Sequence, residues 1–102
     1  MPNRITMKMR HVHGEVLLAA ADSELVGKEF REGRLHIRVD PNFYGEIKVS
    51  EEMFITSLGM CTIANLVGKR VVGIAIEKEF VDPENVIYID GIPHAQYAKM
   101  EE

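Results

Sequence analysis

Residues 61–96, CTIANLVGKRVVGIAIEKEFVDPENVIYIDGIPHAQ, decide the fold of this chain because they contain two strand-like runs on either side of a helical segment. Residues 61–65 form a short apolar run, residues 68–80 have helical spacing, and residues 86–89 are β-branched and aromatic. This order predicts a βαβ unit with two parallel strands and a right-handed crossover. Residues 93–96 (PHAQ) are expected to follow the last strand as a tail.

The start of the helix in this unit is open to a second interpretation. Apolar residues between positions 62 and 79 also recur with helical spacing, and one long helix would then replace the first strand. Gly68 and Gly73 would each cost such a helix about 1 kcal/mol relative to alanine. We therefore predict a strand at residues 61–65, with the long helix as the alternative.

The N-terminal half predicts an antiparallel section of sheet. Residues 4–10 and 34–39 alternate apolar with basic or polar side chains, as half-buried strands do, and residues 15–21 (EVLLAAA) suit a strand covered on both faces. Ser50 is a good N-cap for a helix that buries Phe54. The predicted fold is α+β: a two-layer α/β sandwich with a mixed sheet, whose antiparallel N-terminal part leads into the C-terminal βαβ unit.

Length and composition narrow the class of protein. With 102 residues, the chain is expected to form a single domain over residues 1–102, and only residues 1–3 and 99–102 are expected to lack order. It has no run of about 18 apolar residues to span a membrane. Its N-terminus lacks the apolar segment of a signal peptide, so we expect a cytoplasmic protein. The lone Cys61 excludes an internal disulfide framework and a four-cysteine zinc site within one chain.

Two basic-faced strands suggest a nucleic-acid partner. The formal net charge of −4 argues against non-specific coating of nucleic acid, but the basic residues are unevenly placed. If the two alternating strands pair, one sheet face would carry six basic or imidazole side chains and favour RNA or a ribosomal particle. An ordinary solvated face explains the same pattern. The candidate nucleic-acid-binding residues are Arg4, Lys8, Arg10, Arg34, His36 and Arg38.

The predicted βαβ unit also suggests a ligand site. Ligands of parallel sheets collect at the carboxyl ends of the strands, where the helix N-terminus favours an anion such as phosphate or carboxylate. Lys69 and Arg70 in the first turn are disfavoured by the helix dipole, and a bound anion would relieve that conflict. A purely structural corner is the alternative. The candidate ligand-binding residues are Asn65, Gly68, Lys69, Arg70, Asp90, Gly91, His94 and Gln96.

Enzymatic chemistry is a weaker hypothesis. Residues 1–102 contain no nucleophile-elbow, P-loop, dinucleotide or zinc-hydrolase spacing, so we lean against an enzyme and expect no cofactor or metal. His11 and His13 would face the same way on a strand, but a metal site needs at least one further ligand, such as His36 or His94. Cys61 and His94 would form a nucleophile and base only if the fold joined them. The alternative function is small-molecule binding or hydrolysis at the Asn65 and His94 corner; the sequence does not indicate an oligomeric state.

Several short motifs resemble a known family, the small archaeal proteins grouped as domain of unknown function 424. The resemblance implies an archaeal source and a two-layer α/β sandwich, and supplies no activity. Genes of that family often lie near translation genes, which implies a translation-associated role. The motifs are residues 13–20 (HGEVLLAA), 25–28 (LVGK), 30–33 (FREG), 43–45 (FYG), 64–68 (ANLVG) and 93–96 (PHAQ), and the last two are the most specific.

Overall fold

The computed structural model describes residues 3–99, so the expectations for residues 1–2 and 100–102 lie outside the described residues. Across residues 3–99, the chain forms eight strands and three α-helices, joined by short turns. These elements are β1 (Ile5–Val12), β2 (Glu15–Asp22), β3 (Glu29–Glu32), β4 (Leu35–Arg38), α1 (Pro41–Tyr44), β5 (Lys48–Val49), α2 (Glu51–Met60), β6 (Ile63–Val67), α3 (Lys69–Glu77), β7 (Ile87–Ile89) and β8 (Ile92–Ala98).

A mixed sheet with strand order β5-β1-β2-β6-β8-β7 forms the centre of the described residues, and β3 and β4 form a separate two-stranded sheet. The predicted α+β class and mixed sheet are confirmed. Strands β5, β1 and β2 are antiparallel, and β2 pairs with β6 in parallel. The antiparallel N-terminal part therefore leads into the C-terminal unit as expected.

The continuously apolar run at residues 15–21 becomes β2, an interior strand of the sheet. Its alanines are fully buried because both faces of the sheet are covered at this point. Ala20 belongs to the cluster beneath α2 and α3, while Ala19 and Ala21 belong to the cluster beneath α1 and the β3–β4 hairpin. Small side chains let both layers approach the strand closely.

Local signals in α2 are confirmed. The Ser50 hydroxyl accepts a hydrogen bond from the Met53 N–H at 3.1 Å and caps the helix. Phe54 and Leu58, one turn apart, are fully buried. Among residues 3–99, α2 is the longest helix, with 10 residues, and no helix is long and apolar enough to cross a membrane.

The C-terminal unit is a βαβ unit with an inserted strand. β6, α3 and β7 follow in the predicted order, but β8 lies between β6 and β7 and is antiparallel to both. β6 and β7 are therefore parallel without being neighbours. The first strand begins at Ile63, two residues after the predicted start, and the alternative of one long helix is wrong because residues 63–67 are a strand.

The expected tail at residues 93–96 is wrong, since these residues lie within β8. Asp90 and Gly91 adopt φ values of 53° and 78°, which form a tight turn and return the chain beside β7. Pro93 is unusual in an interior strand because proline lacks the N–H that a ladder needs. Its carbonyl oxygen nevertheless accepts a hydrogen bond from the Gly68 N–H at 2.9 Å, which ties β8 to the end of β6.

Candidate functional site

The N-terminus of α3 already holds a carboxylate, that of Asp22 at the end of β2. Its two oxygens accept hydrogen bonds from the Arg70 N–H at 3.0 Å and from the Val71 N–H at 2.9 Å. Asp22 is 5% exposed. The sequence predicted an anion at this helix terminus, and in the structure an anion of the chain itself accepts these N–H groups.

Gly68 makes room for this arrangement. It is the N-cap of α3, with a φ of 119°, a conformation that favours glycine. A Cβ added at Gly68 would lie 2.6 Å from each carboxylate oxygen of Asp22. Gly68 therefore allows the backbone to turn and also leaves room for Asp22 of β2 to cap the N-terminus of α3.

The charges around Asp22 partly compensate one another. Burial raises the pKa of the Asp22 carboxyl, while the two N–H donors and the Arg70 guanidinium act in the opposite direction. Arg70 Nη1 lies 3.9 Å from Asp22 and 3.2 Å from Glu24. Asp22 therefore supplies the negative charge that relieves the unfavourable position of Lys69 and Arg70 in the first turn.

Of the remaining predicted ligand residues, Asn65, His94 and Gln96 lie on the face of the sheet opposite α2 and α3. Asn65 stands beside Gln96 in the β6–β8 register, and its Oδ1 accepts a hydrogen bond from Gln96 Nε2 at 2.6 Å. His94 pairs with Val67, so it lies on the same face as Asn65, opposite α2 and α3. Asp90 and Gly91 form the β7–β8 turn, at the same end of the sheet as Gly68. The predicted ligand-binding residues are therefore divided among the N-terminus of α3, the β7–β8 turn and the face of the sheet opposite α2 and α3.

An open groove of about 510 Å³ lies at the helix terminus. Two carboxylates and two cations line it, so the groove is neither predominantly negative nor predominantly positive. Its lining residues are Asp22, Glu24, Leu25, Lys69, Arg70 and Ile92.

The side chains of Cys61 and His94 do not meet in the structure. Cys61 is buried on the helix side of the sheet, where its thiol donates to the Leu58 carbonyl oxygen at 3.4 Å and lies 3.8 Å from the Tyr97 hydroxyl. His94 is half-buried on the opposite face, and burial lowers its pKa. The sheet therefore separates the thiol from the imidazole, which removes the geometric basis for a nucleophile and base.

The two basic-faced strands do not pair with each other. β1 pairs with β2 and β5, whereas β4 pairs only with β3 among the described residues. On β1, the Lys8 ammonium donates to the Asn42 carbonyl oxygen at 3.1 Å. The Arg10 guanidinium donates to the same oxygen at 2.5 Å and lies 5.0 Å from the centre of the Phe43 ring. These two cations hold α1 against the sheet. Arg4, also proposed for nucleic acid, lies exposed just before β1.

The β3–β4 hairpin presents a basic surface of its own. Phe30 and Ile37 point inward and pack in the cluster beneath α1 and the hairpin. The alternate residues Arg31, His36 and Arg38 therefore point outward. Arg34 lies in the turn at the tip. We call Arg31, Arg34, His36 and Arg38 the hairpin cluster; all four are exposed.

Sequence reasoning missed β3 and therefore missed Arg31. In residues 29–38 (EFREGRLHIR), Leu35 and Ile37 alternate with polar residues after Gly33, and Phe30 is apolar before it; Gly33 has a φ of 61°. That pattern is a hairpin signal. Reading Gly33 as the centre of a turn would have paired the two halves and revealed the shared outer face.

No group of three His, Cys, Asp or Glu side chains suited to a metal ion occurs within residues 3–99. His11 is exposed near the end of β1, and His13 occupies the β1–β2 turn with a φ of 50°. Neither His36 nor His94 joins them as a third ligand.

The fold and the sites described above define a class of protein: a small α+β protein whose βαβ unit contains an inserted strand. It also has a helix capped by a carboxylate and a basic β-hairpin. The model of the family described as "Protein of unknown function (DUF424)" matches residues 10–100, and the chain belongs to this family. The resemblance drawn from the sequence motifs is thereby confirmed.

One solved structure, described as an uncharacterized conserved protein from Methanopyrus kandleri, is similar to this chain. The TM-score is 0.78 at 15% sequence identity, and the match covers 96% of this chain and 95% of that chain. At this identity the similarity shows the fold alone. The search of curated proteins found no match.

Proposed function

We propose that this protein is a non-enzymatic, translation-associated module that binds the phosphate backbone of structured RNA through the hairpin cluster. The observation that carries the proposal is the exposure of Arg31, Arg34 and Arg38 on one hairpin. The proposal includes a cytoplasmic location, because the RNA partner is found there.

Of the two carboxylates of the hairpin, Glu29 shares the outer face with the hairpin cluster and pairs with its His36, whereas Glu32 points to the opposite face. Glu29 lies 3.1 Å from His36 Nε2, and Glu32 accepts a hydrogen bond from the Asp90 N–H at 2.7 Å. Within the described part of the chain, no carboxylate lies within ion-pair distance of the three arginines. Their charge is therefore available to phosphate oxygens, which arginine binds with two parallel hydrogen bonds.

The local charge differs in sign from the charge of the whole chain. Residues 28–38 contain four Lys or Arg residues and two Glu residues, while the chain as a whole has a net charge of −4. Such an arrangement favours one oriented contact with a polyanion over general attraction. Because phosphate contacts fix position without reading bases, the hairpin cluster suits recognition of RNA shape.

The test compares charge reversal inside and outside the hairpin. Fluorescence anisotropy with a labelled RNA stem-loop should show binding that weakens steeply between 50 and 200 mM salt. Arg34→Glu with Arg38→Glu should reduce affinity at least about tenfold, since each lost phosphate contact also becomes a repulsion. Lys48→Glu with Lys78→Glu changes the net charge equally at exposed positions away from the hairpin and should have a much smaller effect.

Two results would contradict the proposal. Absence of RNA binding at low salt by folded protein would exclude it outright. An equal loss of affinity in both double variants would show general electrostatic attraction without a hairpin site.

The second candidate function is small-molecule binding at the α3 end of the sheet, where the groove of about 510 Å³ favours a ligand. Hydrolysis with Asn65 and His94 has less support, because neither residue lines this groove. Small-molecule binding is weaker than the RNA proposal because Asp22 already accepts the N–H groups of Arg70 and Val71 that an anion would use. The Lys69 side chain remains exposed at this groove. If inorganic phosphate leaves the amide signals of residues 68–71 unchanged in NMR spectra, an anion site here is excluded.

A further inference from the structure

The outer edge of β1 is largely free. β5 pairs only with Ile5 and Thr6, and the rest of β1, through Val12, has no outer strand partner among residues 3–99. A free strand edge presents unpaired N–H and C=O groups to another chain.

The β1–β2 turn determines which backbone groups point outward. Val12 and Glu15 flank a two-residue turn, so they exchange both hydrogen bonds, and every second residue back along β1 also bonds to β2. Met9 and His11 therefore direct their N–H and C=O groups away from β2. The same alternation places the Met7 carbonyl on the outer edge, where Gly45 approaches it so closely that a Cβ on Gly45 would lie 2.5 Å from the oxygen. Met9 and His11 remain without a backbone partner among the described residues.

An apolar groove of about 660 Å³ runs beside this edge, between β1 and α2. Four methionines line it together with polar residues of α2. Met53 is 53% exposed and Met60 is 63% exposed, so the groove presents apolar surface to solvent. Methionine adapts its shape readily to different apolar partners. The four methionines are Met7, Met9, Met53 and Met60.

One face of β1 carries basic side chains, and the other carries the methionines that line the groove. Lys8 and Arg10 lie on the face turned away from the groove, where both donate to the Asn42 carbonyl oxygen of α1. Their positive charge is not neutralised there, because within residues 3–99 no carboxylate lies within ion-pair distance of either. Glu52 lines the groove on the opposite face. An added strand would therefore find favourable positions for acidic side chains on the Lys8 side and for apolar side chains on the methionine side.

We propose that the free edge of β1 binds an extended peptide of a partner protein, in which apolar residues alternate with acidic ones. The peptide would bond to the backbone of Met9 and His11 and extend the sheet by one strand. A second copy of this chain fits poorly, because two-fold pairing about Met9 would place Lys8 opposite Arg10 of the other copy. This site is separate from the hairpin cluster and does not depend on the RNA proposal.

The test uses a nine-residue capped peptide of alternating leucine and glutamate. The control peptide has the same composition, with the leucines and glutamates in separate blocks. In NMR titrations of labelled protein, the alternating peptide should shift the amide signals of Met9 and His11 at concentrations where the block peptide does not. An absence of binding, equal binding of both peptides, or shifts confined to other surfaces would overturn the proposal, as would a stable homodimer paired through β1.

Matched variants separate backbone pairing from side-chain effects. His11→Pro removes an outward N–H from an edge strand, which tolerates proline there, while His11→Ala removes only the imidazole. The proline variant should bind the alternating peptide about three- to tenfold more weakly than the alanine variant, as expected for one hydrogen bond. Met53→Glu should weaken binding, and Tyr88→Glu, at an exposed residue of β7 on the opposite edge of the sheet, should not. Equal affinities of the proline and alanine variants, with both folded, would overturn the predicted pairing.

Discussion

Replacing Gly68 with alanine tests the cap that joins β2 to α3. The added Cβ would lie 2.6 Å from each oxygen of the Asp22 carboxylate, at a backbone φ of 119°. The unfavourable φ costs about 1–3 kcal/mol, and displacement of Asp22 from its two N–H donors costs about 1.5–3 kcal/mol for each charged hydrogen bond. Since the strain and the displacement partly relieve each other, we expect a loss of about 4 kcal/mol in the free energy of unfolding. The midpoint of thermal unfolding should fall by about 20 °C.

Urea unfolding followed by circular dichroism measures this loss, and two further variants identify its cause. Gly73→Ala lies within α3 with nothing within 4 Å of the added Cβ, so it should stabilise the protein by about 0.5–1 kcal/mol. In an Asp22→Ala background the clash is absent, and Gly68→Ala should then cost only the backbone strain, about 2 kcal/mol. An equal cost in both backgrounds would refute the proposed coupling between Gly68 and Asp22.

Two further predictions concern His94 and Cys61. Burial lowers the pKa of His94, so its contribution to stability is complete above about pH 6.5 and is lost as the pH falls through the lowered pKa. Urea unfolding at pH 8 and pH 5.5 should show a larger loss for the wild type than for His94→Gln, and equal losses would contradict this. Cys61 is 1% exposed, so a thiol reagent should modify it only after unfolding, and rapid modification of native protein would contradict the buried position.

Much of the fold follows from local patterns in the sequence. The alternation in residues 4–10, the apolar run at residues 15–21 and the cap at Ser50 correspond to β1, β2 and the start of α2. Each of these patterns reflects which side of one element faces the core, and that information lies within a few neighbouring residues. The α+β class was predictable because it depends mainly on the order of such elements.

The order of the strands in the sheet and the cap of α3 could not be predicted from short stretches of sequence. β8 lies between β6 and β7 because the Asp90-Gly91 turn reverses the chain, although proline, as at position 93, is rare in interior strands. The cap depends on Asp22, which is distant in sequence from the N–H groups it accepts. Only the register of β2 beside β6, with Ala21 opposite Val67, brings this carboxylate to the end of α3. The sequence predicted a bound anion at the N-terminus of α3, and it could not show that the Asp22 carboxylate accepts two of the N–H groups there.

The two most specific sequence motifs have structural roles that bear on function. In residues 64–68, Gly68 makes room for the Asp22 cap, and Asn65 bonds to Gln96 of the motif at residues 93–96. Pro93 accepts the hydrogen bond from the Gly68 N–H. The motifs thus connect β2, β6, β8 and α3, and Asn65, Gly68, Pro93 and Gln96 each have a structural role. Surfaces free to engage other molecules lie at the margins of the fold, on the β3–β4 hairpin and along the outer edge of β1, and a search for function should begin there.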